Sequence, residues 1–311
     1  MRVLLVCRYK ENLAENVAPF VLEQRNALQR CGVDCDWFLV RGKGIRGYLK
    51  QLHALKKKIA SFRPDVVHAH YGLCGLLANL QRKVPVVTTY HGSDINDPKV
   101  LRFSKMAMRL STWNIFVSKK TMDIAKPTKK FALVPCGVDL SELQLTSKIE
   151  ARKKMHLKQH KHYVLFSGAF DNAVKNATLA KEAVAGIEDA NVELLELKGY
   201  SREEVSLMMC AADALLLTSI NEGSPQVIKE ALACGCPIVS VDVGDVQERI
   251  EGLEGCFVAH TWEPKDLVKL LCDALRFEGR THGLNRVIDD GLDNKHVADR
   301  ILKIYSRVIQ K

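Results

Sequence analysis

Short, almost unbroken apolar runs recur along this chain, and each is followed by a turn and a segment whose apolar residues fall at helical spacing. The first run, 3–7, is Val-Leu-Leu-Val-Cys. Val17, Phe20, Val21, Gln24, Leu28 and Cys31 then mark one face of a helix that Gly32 closes. A second run lies at 35–40, and Leu49, Leu52, Leu55 and Ile59 mark a second helix with 56–58 (Lys-Lys-Lys) on its wet side. Runs at 65–69, 84–90, 114–118 and 132–135 complete six predicted strands. Strands without a polar face must be covered on both sides. Alternation with helices therefore predicts a parallel, doubly wound sheet.

The pattern breaks at 146–162, which is polar and basic, with Arg152, Lys153, Lys154, Lys158 and Lys161. It reads as an interdomain connection containing a short helix whose charges face solvent. Then the alternation restarts. Strands are predicted at 163–167, 192–197, 214–219, 237–241 and 256–259, with helices at 178–185, 203–211, 225–234 and 264–275. Val297, Ile301, Ile304, Tyr305, Val308 and Ile309 stripe a terminal helix. A chain of 311 residues suits two domains. The expected division is 1–145 and 146–293, with 294–311 as the last helix. Open sheets of this kind take ligands at the carboxyl ends of their strands, and two facing units would enclose a cleft.

Hydrophobic residues are 47% of the chain and charged residues 26%, which excludes disordered and collagen-like classes. The net charge of +10 is unevenly placed. Residues 1–145 hold 24 Lys+Arg against 11 Asp+Glu, whereas the remainder holds 22 against 25. The basic half should meet something anionic: nucleic acid, a membrane surface or a phosphorylated substrate. Aromatics are 6% and no basic run is interleaved with them, so no nucleic-acid partner is expected. The run 3–7 is too short for the apolar core of a secretory leader, and no stretch approaches a membrane span. A cytoplasmic protein is expected. The ten cysteines lack paired metal spacing and read as reduced, mostly buried thiols. His68-Ala69-His70 has no third ligand, and Asp34-Cys35-Asp36 starts a predicted strand, so no metal is expected. Neither half carries G-x-G-x-x-G after its first strand, which disfavours nicotinamide or flavin chemistry, and there is no phosphate-loop lysine motif.

The most informative segment is 218–245, TSINEGSPQVIKEALACGCPIVSVDVGD. Ser224 should cap a helix that Pro225 opens, and the N–H groups at such a start attract anions. Glu222 lies just before this start and Glu230 about a turn and a half beyond it. The pair suits a ligand whose phosphate is flanked by hydroxyl-rich sugars. It equally suits two ordinary helix-surface glutamates, and spacing alone leaves both readings open.

Glu222-x7-Glu230, followed by Ala-Leu-Ala-Cys-Gly-Cys-Pro-Ile-Val and Val-Gly-Asp, resembles the signature of glycosyltransferase family 4. Asp65-Val-Val-His-Ala-His70, Thr89-Tyr-His-Gly-Ser-Asp94, Val117-Ser-Lys119 and Val134-Pro-Cys-Gly-Val-Asp139 extend the resemblance over most of the chain. It implies an α/β GT-B fold of two Rossmann-like domains, with the last helix packing back on the first. It also implies a retaining, metal-independent hexosyl- or N-acetylhexosaminyltransferase whose donor is a nucleotide-diphosphate sugar. No cofactor beyond that donor is implied. The acceptor would be a saccharide or lipid-linked saccharide of cell-surface glycan synthesis, with the enzyme in the cytoplasm or peripheral on the inner face of an anionic membrane.

The resemblance also implies residue roles. His91, Glu222 and Lys175 would serve the reaction centre, with Lys175 on the leaving diphosphate. Glu230 would hold the ribose hydroxyls, and Gly168, Gly223, Ser224, Gln226 and Val227 would line the donor. Tyr200 would stack on the base. Asn16, His70, Tyr71 and Asp94 would lie on the acceptor side. Three departures stand out. Glu15-Asn16 replaces the family's Gly-Gly, Ala169 an arginine, and Cys136 an asparagine. Asn16 is then expected to cap the first helix. The missing arginine motivates an alternative, a non-catalytic sugar-nucleotide binder or partner subunit on the same fold.

Overall fold

The computed structural model describes residues 1–11, 13–128 and 130–310. It divides the chain into two compact units, Met1–Gly137 with Asn294–Lys311, and Val138–Asp293. The first unit holds β1 (Arg2–Arg8), β2 (Asp34–Val40), β3 (Val66–His70), β4 (Val86–Tyr90), β5 (Trp113–Phe116) and β6 (Phe131–Leu133). All are parallel, in the order β2-β1-β3-β4-β5-β6. The second holds β7 (His162–Phe166), β8 (Val192–Glu196), β9 (Ala214–Leu217), β10 (Ile238–Val241) and β11 (Cys256–Ala259), parallel in the order β11-β10-β9-β7-β8. These are Rossmann-like sheets of the GT-B class.

Burial explains the strands. Every residue of β3, β4, β9 and β10 is buried, and so is the whole interior of β1. With both faces covered, side chains from the body of a sheet meet helices, not solvent. Chemistry is confined to the carboxyl ends, above all where strand order reverses. In the first sheet the reversal falls between β1 and β3, which pair from Val3↔Val66 to Val6↔Ala69. In the second it falls between β7 and β9, which pair from Val164↔Ala214 to Phe166↔Leu216.

The terminal helix, Asn294–Ile309, belongs to the first unit. Its buried stripe of Val297, Ile301, Ile304, Tyr305 and Val308 packs with Val3, Leu5, Leu28, Val66 and Ile115. No helix among the described residues is long and apolar enough to cross a membrane.

The basic stretch at 146–162 corrects the sequence reading. It lies inside the second unit, and not all of its charge is solvated. Its helix, Lys148–Lys154, buries Arg152, whose Nε donates to the Ala211 carbonyl (3.0 Å), one terminal nitrogen to the Gln159 carbonyl (2.7 Å) and the other to Asp213 Oδ2 (2.7 Å). Asp213 also accepts the Tyr163 N–H at 2.6 Å, which locks the helix to the start of β7. Lys148 also pairs with Asp213, so losing Arg152 weakens the compensation of this buried carboxylate without abolishing it. Arg152→Met should therefore cost roughly 1–3 kcal/mol in urea denaturation. Lys153→Met on the same helix, where the lysine is exposed, should change little. Equal effects would refute the assignment.

Candidate functional site

In the second unit the chain leaves β7 through Ser167 and Gly168. A Cβ on Gly168 would lie 3.1 Å from Lys175 Cγ, so glycine leaves room for the lysine stem. Lys175 ends a short 3-10 turn, Ala173–Lys175, that the Asn172 side chain caps by accepting the Val174 N–H at 3.1 Å. The Thr218 hydroxyl, just beyond β9, meets the Lys175 and Asn176 carbonyls at 2.9 and 3.0 Å. The turn is thereby pinned across the β7/β9 reversal. Lys175 Nζ donates to Glu222 Oε1 at 2.7 Å, and the Ser219 hydroxyl donates to the same oxygen at 2.8 Å. The lysine and glutamate side chains are 19% and 17% exposed, within reach of a ligand yet mostly shielded. Residues 168, 175 and 222 thus come together.

Behind Glu222 the structure shows a support that the sequence analysis misses. Ser224 Oγ donates to Asp245 Oδ2 at 2.8 Å, and Arg249 Nε holds the same oxygen at 3.0 Å. Ser224 is therefore not the helix cap. The helix runs Gln226–Ala233, with Pro225 at the capping position and no side-chain cap bond. Asp245 outcompetes the helix for the hydroxyl because a buried carboxylate must find donors. Gly244 completes the support. Its φ is +56°, and a Cβ there would lie 2.7 Å from the Gly223 carbonyl oxygen, which leaves no room for a side chain. The Val-Gly-Asp of the sequence thus backs the Glu222–Ser224 loop. Gly223, Gln226 and Val227 flank this loop and the first turn of the helix.

Glu230, 5% exposed, forms a separate ion pair, Arg202 Nη1 to Oε1 at 2.6 Å. Arg202 opens the helix Arg202–Ala211, whose capping box joins Ser201 and Glu204. Tyr200 lies just ahead of this cap and is exposed. A ligand hydroxyl on Glu230 would share that carboxylate with Arg202.

In the first unit His91 follows β4. Its ring sits 4.8 Å from Phe20, 4.7 Å from Tyr71 and 5.3 Å from His70, stacked on the last. His70 stacks in turn on His68, at 4.6 Å. His68 Nδ1 meets the Tyr305 hydroxyl at 2.6 Å and Nε2 meets Thr89 Oγ1 at 2.7 Å, so the pile is anchored to the terminal helix. His70 Nδ1 and His91 Nε2 are 3.0 Å apart. His70 Nε2 is buried without a partner among the described residues. An orphaned N–H costs more than an orphaned lone pair, which favours the proton on His70 Nδ1, donated to His91 Nε2. His91 then carries its own proton on Nδ1, the nitrogen 3.7 Å from Cys136 Sγ. Burial pushes His70 down to about 3 and His68 well below the usual histidine range, so both stay neutral.

Asp94 works through backbone groups. Oδ1 accepts the His91 and Gly92 N–H groups at 2.9 and 3.1 Å, and Oδ2 accepts the Gly72 N–H at 2.9 Å. It ties the end of β4 to the helix Gly72–Asn79 that follows β3. Burial pushes Asp94 up to about 6, against the opposing pull of these N–H bonds. Asn16 departs from expectation. It sits at φ 58° in the turn Ala14–Asn16, and the first helix starts at Pro19 with Ala18 at its cap position. The Asn16 carbonyl accepts the Lys10 N–H at 2.7 Å.

Comparison with known proteins bears on the family and the fold. The family described as Glycosyltransferase Family 4 matches residues 3–142, and Glycosyl transferases group 1 matches 150–276. The amylovoran biosynthesis glycosyltransferase AmsK of Erwinia amylovora is 27% identical over 236 residues, covering 61% of this chain and 56% of its own. The N-acetyl-alpha-D-glucosaminyl L-malate synthase of Bacillus anthracis is 23% identical over 225 residues, covering 60% and 59%. The chain thus spans little more than half the length of these curated relatives. Among solved structures, sucrose-phosphate synthase of Thermosynechococcus elongatus superposes with a TM-score of 0.82 at 16% identity over 99% of both chains. Anabaena HepE in complex with UDP gives 0.76 at 14% identity, over 99% of this chain and 100% of that one.

The buried ionisable groups set a pH dependence. Between pH 3 and 6.5 the unfolded chain protonates His70 and the folded chain does not, so this residue makes stability fall as pH falls. Asp94 acts oppositely between 3.8 and 6, where only the folded chain holds its proton. Each effect approaches about 1.4 kcal/mol per pH unit. Asp94→Asn should remove the opposing slope, so urea-unfolding stability should fall more steeply from pH 6 to 4 than in the wild type. Parallel curves would contradict the assignment.

Proposed function

The chain belongs to the family 4 type of glycosyltransferase, and from that premise we propose that it transfers a sugar from a nucleotide-diphosphate sugar to a saccharide or lipid-linked saccharide acceptor, with retention at the anomeric carbon. The observation that carries this reading is the Lys175–Glu222 pair, held beside Gly168 at the reversal of the second sheet. A diphosphate drawn to Lys175 Nζ would release Glu222 to accept hydroxyls of the transferred sugar. As the anomeric carbon–oxygen bond to the diphosphate breaks, negative charge grows on the leaving oxygen, and a preplaced ammonium stabilises it without reorganising. The acceptor oxygen bonds to the same face of that carbon, and its proton passes to a diphosphate oxygen. Lys175 would supply the positive charge that a divalent cation supplies in other transferases, which makes the reaction metal-independent in this scheme. Anabaena HepE has been solved with UDP and with UDP and glucose, which makes uridine-diphosphate hexoses and N-acetylhexosamines the first donors to try.

Polysaccharide biosynthesis is the setting that the AmsK relative supports. The basic excess of the first 145 residues supports action at the inner face of an anionic membrane.

Two measurements test the reading. A thermal-shift screen of nucleotide sugars should show stabilisation by one donor class. With that donor, Lys175→Ala and Glu222→Ala should each lower kcat by about a hundredfold or more while unfolding midpoints stay close to wild type. Unchanged transfer by both variants would refute it. For the membrane setting, phosphatidylglycerol vesicles should bind the protein at low salt and release it as salt screens the attraction. Salt-independent binding, or none, would refute that part.

A further inference from the structure

The first unit contains a second feature at its sheet reversal. A pocket of about 220 Å³ opens beyond the carboxyl end of β1, lined by Arg8, Lys10, Tyr48, Tyr71, Ser93 and Asp94 among others. Among the described residues the side chains of Arg8 and Lys10 have no ion pair and no hydrogen bond. Two cations therefore face one concavity with their charge uncompensated.

Tyr71 adds an independent sign. It holds φ 73° and ψ 149°, a conformation that a residue with a side chain rarely adopts and that costs about 1–3 kcal/mol. The surroundings enforce it. Its N–H donates to the Thr89 carbonyl at 2.8 Å and its carbonyl accepts the Gly75 N–H at 2.9 Å. The strained backbone sets a ring that lines the pocket and lies 4.7 Å from the His91 ring. One tyrosine therefore touches both the pocket and the predicted reaction-centre histidine.

Asp94 also lines the pocket, and an anion there would feel its charge. Its oxygens already accept three backbone N–H groups, which disperses that charge, and two cations outnumber it. The pocket is smaller than the roughly 300–1,000 Å³ of sites for drug-sized ligands, so it suits one substituent or one sugar ring, not an oligosaccharide. Guanidinium and ammonium together favour phosphate or carboxylate, the first through paired N–H bonds and the second as a point charge.

We infer that this pocket takes the anionic group, phosphate or carboxylate, of a small saccharide acceptor, which Arg8 and Lys10 hold while Tyr71 forms the wall shared with His91. The acceptor role rests on the glycosyl-transfer reading; the anion selectivity stands on the pocket itself.

The test is calorimetric titration of the full chain, at fixed ionic strength, with glucose 6-phosphate, glucuronate and glucose, and separately with UDP. At least one charged sugar should bind about tenfold or more tighter than glucose, the difference that one charge-assisted bond brings. The stronger of the two identifies phosphate or carboxylate. The double variant Arg8→Gln/Lys10→Gln should lose that preference and keep UDP affinity within about twofold. Three outcomes would overturn the inference. The charged sugars bind no better than glucose, the variant keeps the preference, or the variant loses UDP affinity in parallel, which would assign the cations to the donor diphosphate. Displacement of bound glucose 6-phosphate by phosphatidylglycerol vesicles would assign them to a lipid headgroup and overturn it too. Should the double variant not fold, the wild-type preference must still fade with added salt and weaken in Arg8→Lys, which keeps the charge but not the fork. A protein that transfers sugar without any charge preference would refute this inference alone. A charge preference without nucleotide-sugar binding would refute the functional reading alone.

Discussion

Everything chemical in this molecule follows from sheets that are buried on both faces. A parallel strand covered by helices above and below offers solvent nothing from its middle, so polar groups collect where strands end. The two reversals of strand order concentrate them further, because neighbouring connections there leave the sheet on opposite sides and open a crevice. Arg8 and His70 sit at the ends of β1 and β3, and Ser167–Gly168 and Thr218–Ser219 follow β7 and β9. The same topological rule, applied twice, produces both clusters.

The histidine pile shows what that constraint costs and how the fold meets the cost. Two fully buried imidazoles can exist only uncharged, and burial holds His68 and His70 neutral. A neutral imidazole offers one donor and one acceptor; Tyr305 and Thr89 meet both on His68, whereas among the described residues His70 is met by His91 on Nδ1 alone. The terminal helix therefore does more than fill an apolar groove, since its Tyr305 is the only one of these partners outside β3, β4 and the loop after β4. Asp94 does the complementary work on the backbone by satisfying N–H groups that the turns at Gly92 and Gly72 would otherwise bury unpaired.

The strands were legible because continuous burial writes itself as continuous apolar sequence. The terminal helix was legible because its stripe at 297, 301, 304, 305 and 308 keeps helical spacing. Features set by a partner distant in sequence were not. Ser224 has every property of a cap, yet Asp245, twenty-one residues on, takes its hydroxyl. Arg152 reads as one charge in a solvated run until Asp213 and two carbonyls are seen around it. Nothing in the sequence joins Arg202 to Glu230 across 28 residues. Lys175 and Glu222, 47 residues apart, could be put together only through the family resemblance. Asn16 failed as a cap for a local reason: the chain makes a left-handed turn there, and Pro19, which fixes its own φ, sets the helix start instead.

The charge polarity of the chain takes on a more definite meaning from these contacts. A cation already bonded to a carboxylate contributes geometry, because a ligand must displace or reorganise the pair before it gains any attraction. Lys175 is of this kind, and in the proposed reaction its pairing to Glu222 would make diphosphate binding and release of the glutamate one event, not two. A cation without a partner contributes field, because its attraction for an anion is undiminished and reaches into solvent over about a Debye length, roughly 8–10 Å at ordinary ionic strength. Arg8 and Lys10 are of this second kind. The net excess in the first part of the chain is a matter of composition, and it includes pairs such as Arg2–Asp34 and Arg25–Glu15 as well as the uncompensated Arg8 and Lys10, whereas the second part sets cations in pairs such as Arg152–Asp213, Arg249–Asp245 and Lys175–Glu222.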